Sequence, residues 1–139
     1  MQTFLPYPDF HESARVLDRQ RLGKQRVEAW QILLTLKDLT EKRGWANHPA
    51  TKMWAGHERS LAVYGSVICS EWIRRGYKDT LLPRFTPHTL GGTAVPPAWL
   101  GDKDFHLSHR SNLLRKLRSH YEAFWPDDPN DLPYVWPNS

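Results

Sequence analysis

The stretch that most limits the fold is Arg15 to Leu39, RVLDRQRLGKQRVEAWQILLTLKDL, where helical periodicity coincides with the densest cluster of cations in the chain. At 100° per residue, Val16, Gly23, Val27, Trp30 and Leu34 fall within about 60° of one another, the apolar stripe of a helix packed on a core. Arg15, Arg19 and Arg26 line one flank of that helix; Arg21, Lys24, Glu28 and Gln31 line another. The pattern predicts a helix from about Ser13 to about Thr40 that stops before Arg43-Gly44, with Gly44 as the left-handed C-terminal residue. Gly23 on the stripe costs about 1 kcal/mol in helix propensity and points to close approach of another element. Four arginines and a lysine within twelve residues repel one another, and an anion lying across the helix, above all a phosphodiester backbone, relieves that repulsion. The plainer alternative is a solvated charged face with Lys24 and Glu28 as an i,i+4 pair.

The rest of the chain reads as support for this helix. Residues 1–12, MQTFLPYPDFHE, hold two prolines and three aromatics without helical period, which predicts an extended arm packed on the first helix, bringing the N-terminus near whatever that helix faces. A second helix is predicted after GWANHP, with Asn47 as cap and Pro49 in the first turn. Its stripe is Met53, His57, Leu61, Tyr64, Ile68 and Trp72, with His57 read as a hydrogen-bonded core histidine, and it closes at Arg74-Arg75-Gly76-Tyr77. Residues 78–106 are rich in Pro and Gly and read as a long loop. A third helix is predicted from about Ser108 to Trp125, with Arg110, Arg115, Lys116 and Arg118 largely outward, and an aromatic tail (Leu132, Tyr134, Trp136) folding back. The expectation is therefore an all-α, compact single domain over residues 1–139, with three main helices joined by long Pro/Gly-rich loops. Trp30, Leu34, Leu61, Tyr64, Ile68, Leu117 and Tyr121 should share its core.

Composition narrows the function classes. A length of 139 residues with 40% hydrophobic content allows one core. Net charge is only +4, so an argument for anionic partners rests on where the charge sits. Seven Trp, five Tyr and five Phe serve equally for packing and for stacking on bases. The single cysteine, Cys69, excludes an intramolecular disulfide and a Cys-rich zinc site and fits a reducing cytoplasm. The first ten residues lack the pattern of a secretory leader, and no apolar run approaches a membrane span.

His106 and His109 have the spacing of paired helical metal ligands, but no third ligand accompanies them, so no metal or cofactor is expected. Gly-rich phosphate loops, nucleophile elbows and HExxH are absent from the sequence. What remains is Glu28 among cations, with the arm leading to an α-amine nearby. An α-amine titrates at about 7.7–8, so a useful fraction is neutral at physiological pH. An amine and a carboxylate suffice to attack a sugar C1′, displace a base and eliminate phosphate through an imine.

The motif LDRQRLGKQRVEA, Leu17 to Ala29, resembles the first-helix segment of the pyrimidine-dimer DNA glycosylases of the phage endonuclease V type, most closely their short bacterial and phage relatives. Arg74-Arg75-Gly76-Tyr77 is similar to the family's basic-basic-Gly-aromatic helix ending, and Pro97 to Gly101, the third helix and the aromatic tail follow in the same order. The resemblance implies an all-α fold with the N-terminus beside a catalytic glutamate, here Glu28, and an amine that attacks C1′ of the damaged nucleotide. Val27 stands where the family has an arginine, and Gln2 keeps Met1 in place, so the amine is that of Met1 itself. The expectation is a base-excision glycosylase, with or without lyase activity, acting on damaged or modified pyrimidines in duplex DNA. Glu28 and Met1 would be catalytic, and Arg15, Arg19, Arg21, Lys24, Arg26, His48, Arg110 and Lys116 would contact DNA. A monomer in the cytoplasm, nucleoid-associated or in a phage-infected cell, is expected. The alternatives are a non-cutting module of the same fold that recognises distorted DNA, and an enzyme on free nucleotides.

Overall fold

Asp9, Asp18 and Asp102 each accept a hydrogen bond from the backbone amide three residues on, and each opens a helix. In the computed structural model, which describes residues 1–137, such local signals divide the chain into seven α-helices. These are α1 Phe10–Val16, α2 Arg19–Leu36, α3 Pro49–Lys52, α4 Glu58–Arg74, α5 Leu82–Phe85, α6 Lys103–Lys116 and α7 Arg118–Tyr121, with a 3₁₀ turn at Thr86–Thr89. The described residues contain no strand, so the fold is all-α as expected, with α2, α4 and α6 the three long helices. Asn138 and Ser139, the end of the predicted tail, lie outside the described residues.

The helix expected from Ser13 to Thr40 is in fact two. Leu17 is fully buried in an extended conformation (φ −65°, ψ 135°), and Asp18 restarts the helix. The Asp18 carboxylate accepts from Arg21 N–H at 3.3 Å and from the Tyr121 hydroxyl, whose oxygen in turn accepts the Asp18 N–H at 3.0 Å. Burial pushes the Asp18 carboxyl up, but these donors and the Arg21 charge together hold it below its ordinary range. With the helix interrupted, Val16 and Val27 do not share a stripe: α2 buries Leu22, Gln25, Ala29, Ile32 and Leu33, and Val27 is 51% exposed. The far end also differs. Asp38, not Gly44, takes the left-handed position (φ 56°), with its N–H returning to Thr35 O and the Leu39 N–H to Leu34 O. The close approach expected at Gly23 is real: a Cβ there would lie 2.9 Å from the indole of Trp72 on α4.

Gly76 (φ 96°) closes α4 in the same manner, with Gly76 N–H to Ile73 O and Tyr77 N–H to Trp72 O. At the front of this region His48, not Asn47, is the cap, its Nδ1 accepting from Ala50 N–H at 3.0 Å. His57 is not a core residue; it sits half-buried at the start of α4 with Nδ1 3.3 Å from Val95 O. The third long helix begins at Lys103, five residues before the expected start, because Asp102 caps it, and it breaks at Leu117 (φ −153°, ψ 73°) before α7. Leu61, Tyr64, Ile68 and Tyr121 are fully buried as expected, while Trp30 and Leu117 pack partly buried against them and Leu34 is half-buried.

The arm matters most for the site. Gln2 to Pro6 are buried without regular structure, so their backbone groups need side-chain partners. Phe4 N–H donates to Gln25 Oε1 (2.9 Å), Phe4 O accepts from Tyr64 OH (2.8 Å) and Pro6 O from Arg110 (2.9 Å). Trp54 Nε1 donates to Thr3 Oγ1 at 3.0 Å. The His106/His109 pair serves the arm as well: His109 Nδ1 accepts the Leu5 N–H at 2.9 Å, and His106 Nδ1 donates to Leu5 O at 2.8 Å. His106 Nε2 accepts the Gly101 N–H at 2.9 Å, so the two imidazoles are neutral in opposite tautomers.

This clamp makes the fold acid-sensitive. Burial, and then the neighbouring His106, pushes the His109 imidazole from an ordinary 6.5 down to about 3. Below 6.5 the unfolded chain takes up a proton that the folded chain refuses, so stability falls as pH drops from 6.5 towards 3. Urea midpoints taken across that window should decline steadily; a constant midpoint would contradict the clamp.

Candidate active site

Where the arm crosses α2, the structure forms a cavity of about 430 Å³ that opens to the surface. Met1, Gln2 and Phe4 of the arm form one side, and Gln20, Arg21, Lys24, Gln25 and Glu28 of α2 form another. Lys116 at the end of α6 and Tyr134 of the tail complete the lining. The volume lies within the range of roughly 300–1,000 Å³ typical of small-ligand sites. Five of the residues singled out from sequence thus meet here: Met1, Arg21, Lys24, Glu28 and Lys116. Gln20, Lys24 and Glu28 lie four residues apart on one face of α2, and they also border a neighbouring groove of about 450 Å³ that adds Arg19, Gly23, Arg26, Val27 and Trp72.

His48 lies within electrostatic reach of the N-terminal amine and of Glu28. Burial, then the positive amine, pushes its imidazole below the ordinary value, and Glu28 opposes that shift. Its ring packs edge-on against Trp45 and Trp136, with centroids 5.6 and 6.0 Å away. Burial pushes the Tyr134 phenol up to about 12, so it stays a hydrogen-bond donor at neutral pH.

Other residues singled out from sequence do not line the cavity, although Arg19 and Arg26 border the neighbouring groove. Arg15 is on α1, exposed, 3.7 Å from Glu12, so it does not share a helix with Arg19 and Arg26. Arg19 is exposed at the first turn of α2. Arg26 is turned inward: it meets the fully buried Asp79 carboxylate at 2.6 Å and lies 4.7 Å above the Trp72 ring. Arg110 is spent on Asp128 (2.9 Å) and Pro6 O.

Two residues absent from the sequence-derived set stand out. Tyr134 enters only through the tail. Gln25 is 1% exposed, and its Nε2 donates to Gln2 O (2.8 Å) and to Glu28 Oε2 (3.0 Å). Its position three residues before Glu28 was a signal available in the sequence, since i and i+3 share a helix face.

Among the described residues no group of three or more His, Cys, Asp and Glu is placed to hold a metal ion, and no helix is long and apolar enough to cross a membrane. The chemistry in reach is that of a carboxylate, an amine and a rim of cations. Neither a curated protein nor a solved structure matches the chain. A family model described as pyrimidine dimer DNA glycosylase matches residues 1–82, which span the arm, α1 to α4 and the start of α5. That match extends over more than half of the 139 residues and includes every residue the arm and α2 contribute to the cavity, so this chain belongs to the pyrimidine dimer DNA glycosylase family.

Proposed function

We infer that the protein removes damaged or modified pyrimidines from duplex DNA, with an amine-mediated lyase step following base release. The observation that carries this reading is the shared cavity, in which the start of the chain and Glu28 face the same space under Arg21, Lys24 and Lys116. In this reading the Met1 amine attacks C1′ and the C1′–N bond to the base breaks, the base leaving with the electron pair. The bound sugar opens to an imine, and loss of a C2′ proton expels the 3′ phosphate. Glu28 stabilises the cationic transition state and relays protons, while the cations hold flanking phosphates. Because Lys116 and Tyr134 lie beyond residues 1–82 yet line the cavity, the reading takes residues 1–139 as one working unit. It takes that unit as a monomer, acting in the cytoplasm where the DNA is. Incubation with end-labelled duplexes carrying a panel of lesions tests it; release of no base and no strand cleavage on any of them would refute it.

The placement of the cations sharpens the binding expectation. Lys24→Ala and Lys116→Ala should each weaken duplex binding at moderate salt and flatten the salt slope by about one unit, the loss of one phosphate contact. Arg26→Ala should instead lower stability, since it strands the buried Asp79 carboxylate. Affinities measured over a salt series beside thermal melts separate the two effects, and unchanged slopes in both lysine variants would mark this rim as plain solvated surface.

A further inference from the structure

Gln25 makes its side-chain hydrogen bonds inside the protein, to the arm, to Tyr64 and to Glu28. Nε2 donates one hydrogen to Gln2 O at 2.8 Å and the other to Glu28 Oε2 at 3.0 Å, and Oε1 accepts from Phe4 N–H at 2.9 Å and lies 2.8 Å from the Tyr64 hydroxyl. An amide has two hydrogens and two lone-pair sites; both hydrogens and one lone pair are engaged outright, and the second lone pair shares the single Tyr64 hydroxyl proton with Phe4 O. The partners also dictate its orientation: a flipped amide would set an oxygen against a carbonyl and a carboxylate, and an NH₂ group against the Phe4 N–H. This one buried group therefore grips the arm on both sides of Thr3 and, with its remaining hydrogen, grips the carboxylate one turn further along α2.

We propose that Gln25 is a positioning residue, held in orientation by Tyr64, that sets the placement of the N-terminal amine relative to the Glu28 carboxylate. The proposal rests on the glycosylase reading for its consequence in catalysis, but its geometric content is independent of it. A purely structural role is the competing account. The arm, however, remains docked by contacts that do not involve Gln25: Trp54 on Thr3, Tyr64 on Phe4 O, His106 and His109 on Leu5, and Arg110 on Pro6. Loss of Gln25 thus frees Met1 and Gln2 and uncouples Glu28 while leaving the rest of the arm in place.

Three variants dissect the device. Gln25→Met removes every polar contact at similar size. Gln25→Glu keeps acceptors for Phe4 N–H and Tyr64 but turns an oxygen towards Gln2 O and Glu28. Tyr64→Phe removes the hydroxyl and leaves both Nε2 donations. For each, the readouts are the thermal melt, the duplex affinity, the single-turnover rate of borohydride trapping on abasic duplex, and the rate at which an N-hydroxysuccinimide ester acetylates the Met1 amine of the free protein. Both Gln25 variants should fold, bind duplex as wild type does and lose on the order of 100-fold in trapping rate, the scale of a misplacement of about 1 Å. Tyr64→Phe should lose less. Acetylation of Met1 should change rate in both Gln25 variants. Folded Gln25 variants with wild-type trapping and acetylation rates would overturn the proposal, as would a trapping loss explained wholly by weaker DNA binding. If the wild-type protein traps no substrate while the acetylation rates still differ, the glycosylase reading fails and the positioning of the amine by Gln25 stands.

Discussion

Replacing Glu28 with Gln should leave duplex binding intact and lower the chemical step by a factor on the order of 100 or more, the scale on which one positioned acid-base or electrostatic group acts. The substituted amide keeps the size of the side chain and an oxygen to accept the Gln25 Nε2 hydrogen, so the cavity wall should be preserved. What disappears is a negative charge, which repels phosphate in the ground state and stabilises positive charge at the sugar in the transition state. Binding and chemistry are therefore expected to part company, and that separation is the signature of a catalytic group. Borohydride should trap a covalent adduct between wild-type protein and abasic DNA, mapping to the Met1 amine, and acetylation of that amine should abolish it. An adduct mapping to a lysine of the rim, Lys24 or Lys116, would move the nucleophile without displacing Glu28. Full activity in Glu28→Gln together with no trappable adduct would leave a DNA-binding module that does not cut.

Asp79→Asn should cost about 3–5 kcal/mol of stability, the penalty for breaking a buried ion pair from one side. The Asp79 side chain is fully buried and accepts from Arg26 at 2.6 Å, from Leu82 N–H at 2.7 Å and from Leu81 N–H at 3.1 Å, with the Cys69 thiol as a further donor. Asparagine fits the same space but leaves the Arg26 charge without its counterpart, and Arg26 Nε already lacks a partner. Burial pushes the Asp79 carboxyl up, but its amide, guanidinium and thiol donors together hold it below its ordinary value of 3.8. A carboxyl depressed in the folded state contributes stability that is present above its unfolded value and is lost as pH falls through the folded one. Asp79→Asn should therefore narrow the gap to wild type in strong acid, and urea midpoints at neutral and acid pH check this. Equal losses at both would assign the effect to packing. Burial first, then Asp79, pushes the Cys69 thiol up to about 12, with Arg26 opposing the shift, so little thiolate forms at neutral pH.

The limits of the sequence reading follow the range of the forces involved. Helix existence, the close of α4 at Gly76 and the approach of another element to Gly23 are decided within a few turns of chain, by period, capping and the absence of a side chain, and all were legible. So was the meeting of Glu28, Arg21 and Lys24, because a helix places them. The break at Leu17-Asp18 was written locally too, in an aspartate with strong capping preference, and Tyr121, 103 residues away, adds its hydroxyl to the Asp18 carboxylate and accepts the Asp18 N–H. Arg26 illustrates the same point for charge: its place beside other cations suggests an exposed phosphate contact, and only the return of the chain after α4 puts Asp79 beneath it. The paired histidines of α6 have the spacing of metal ligands, yet the requirement they meet belongs to Leu5, 104 residues from His109, whose backbone is buried without a strand or helix to satisfy it. By itself, then, the sequence determined that the chain is helical, the close of α4 and the row of charge on α2, all set by neighbours within one or two turns. Tertiary structure decided which cations stay free and where the N-terminus lies, because a buried backbone amide or carboxylate takes whichever partner packing delivers, regardless of distance along the chain.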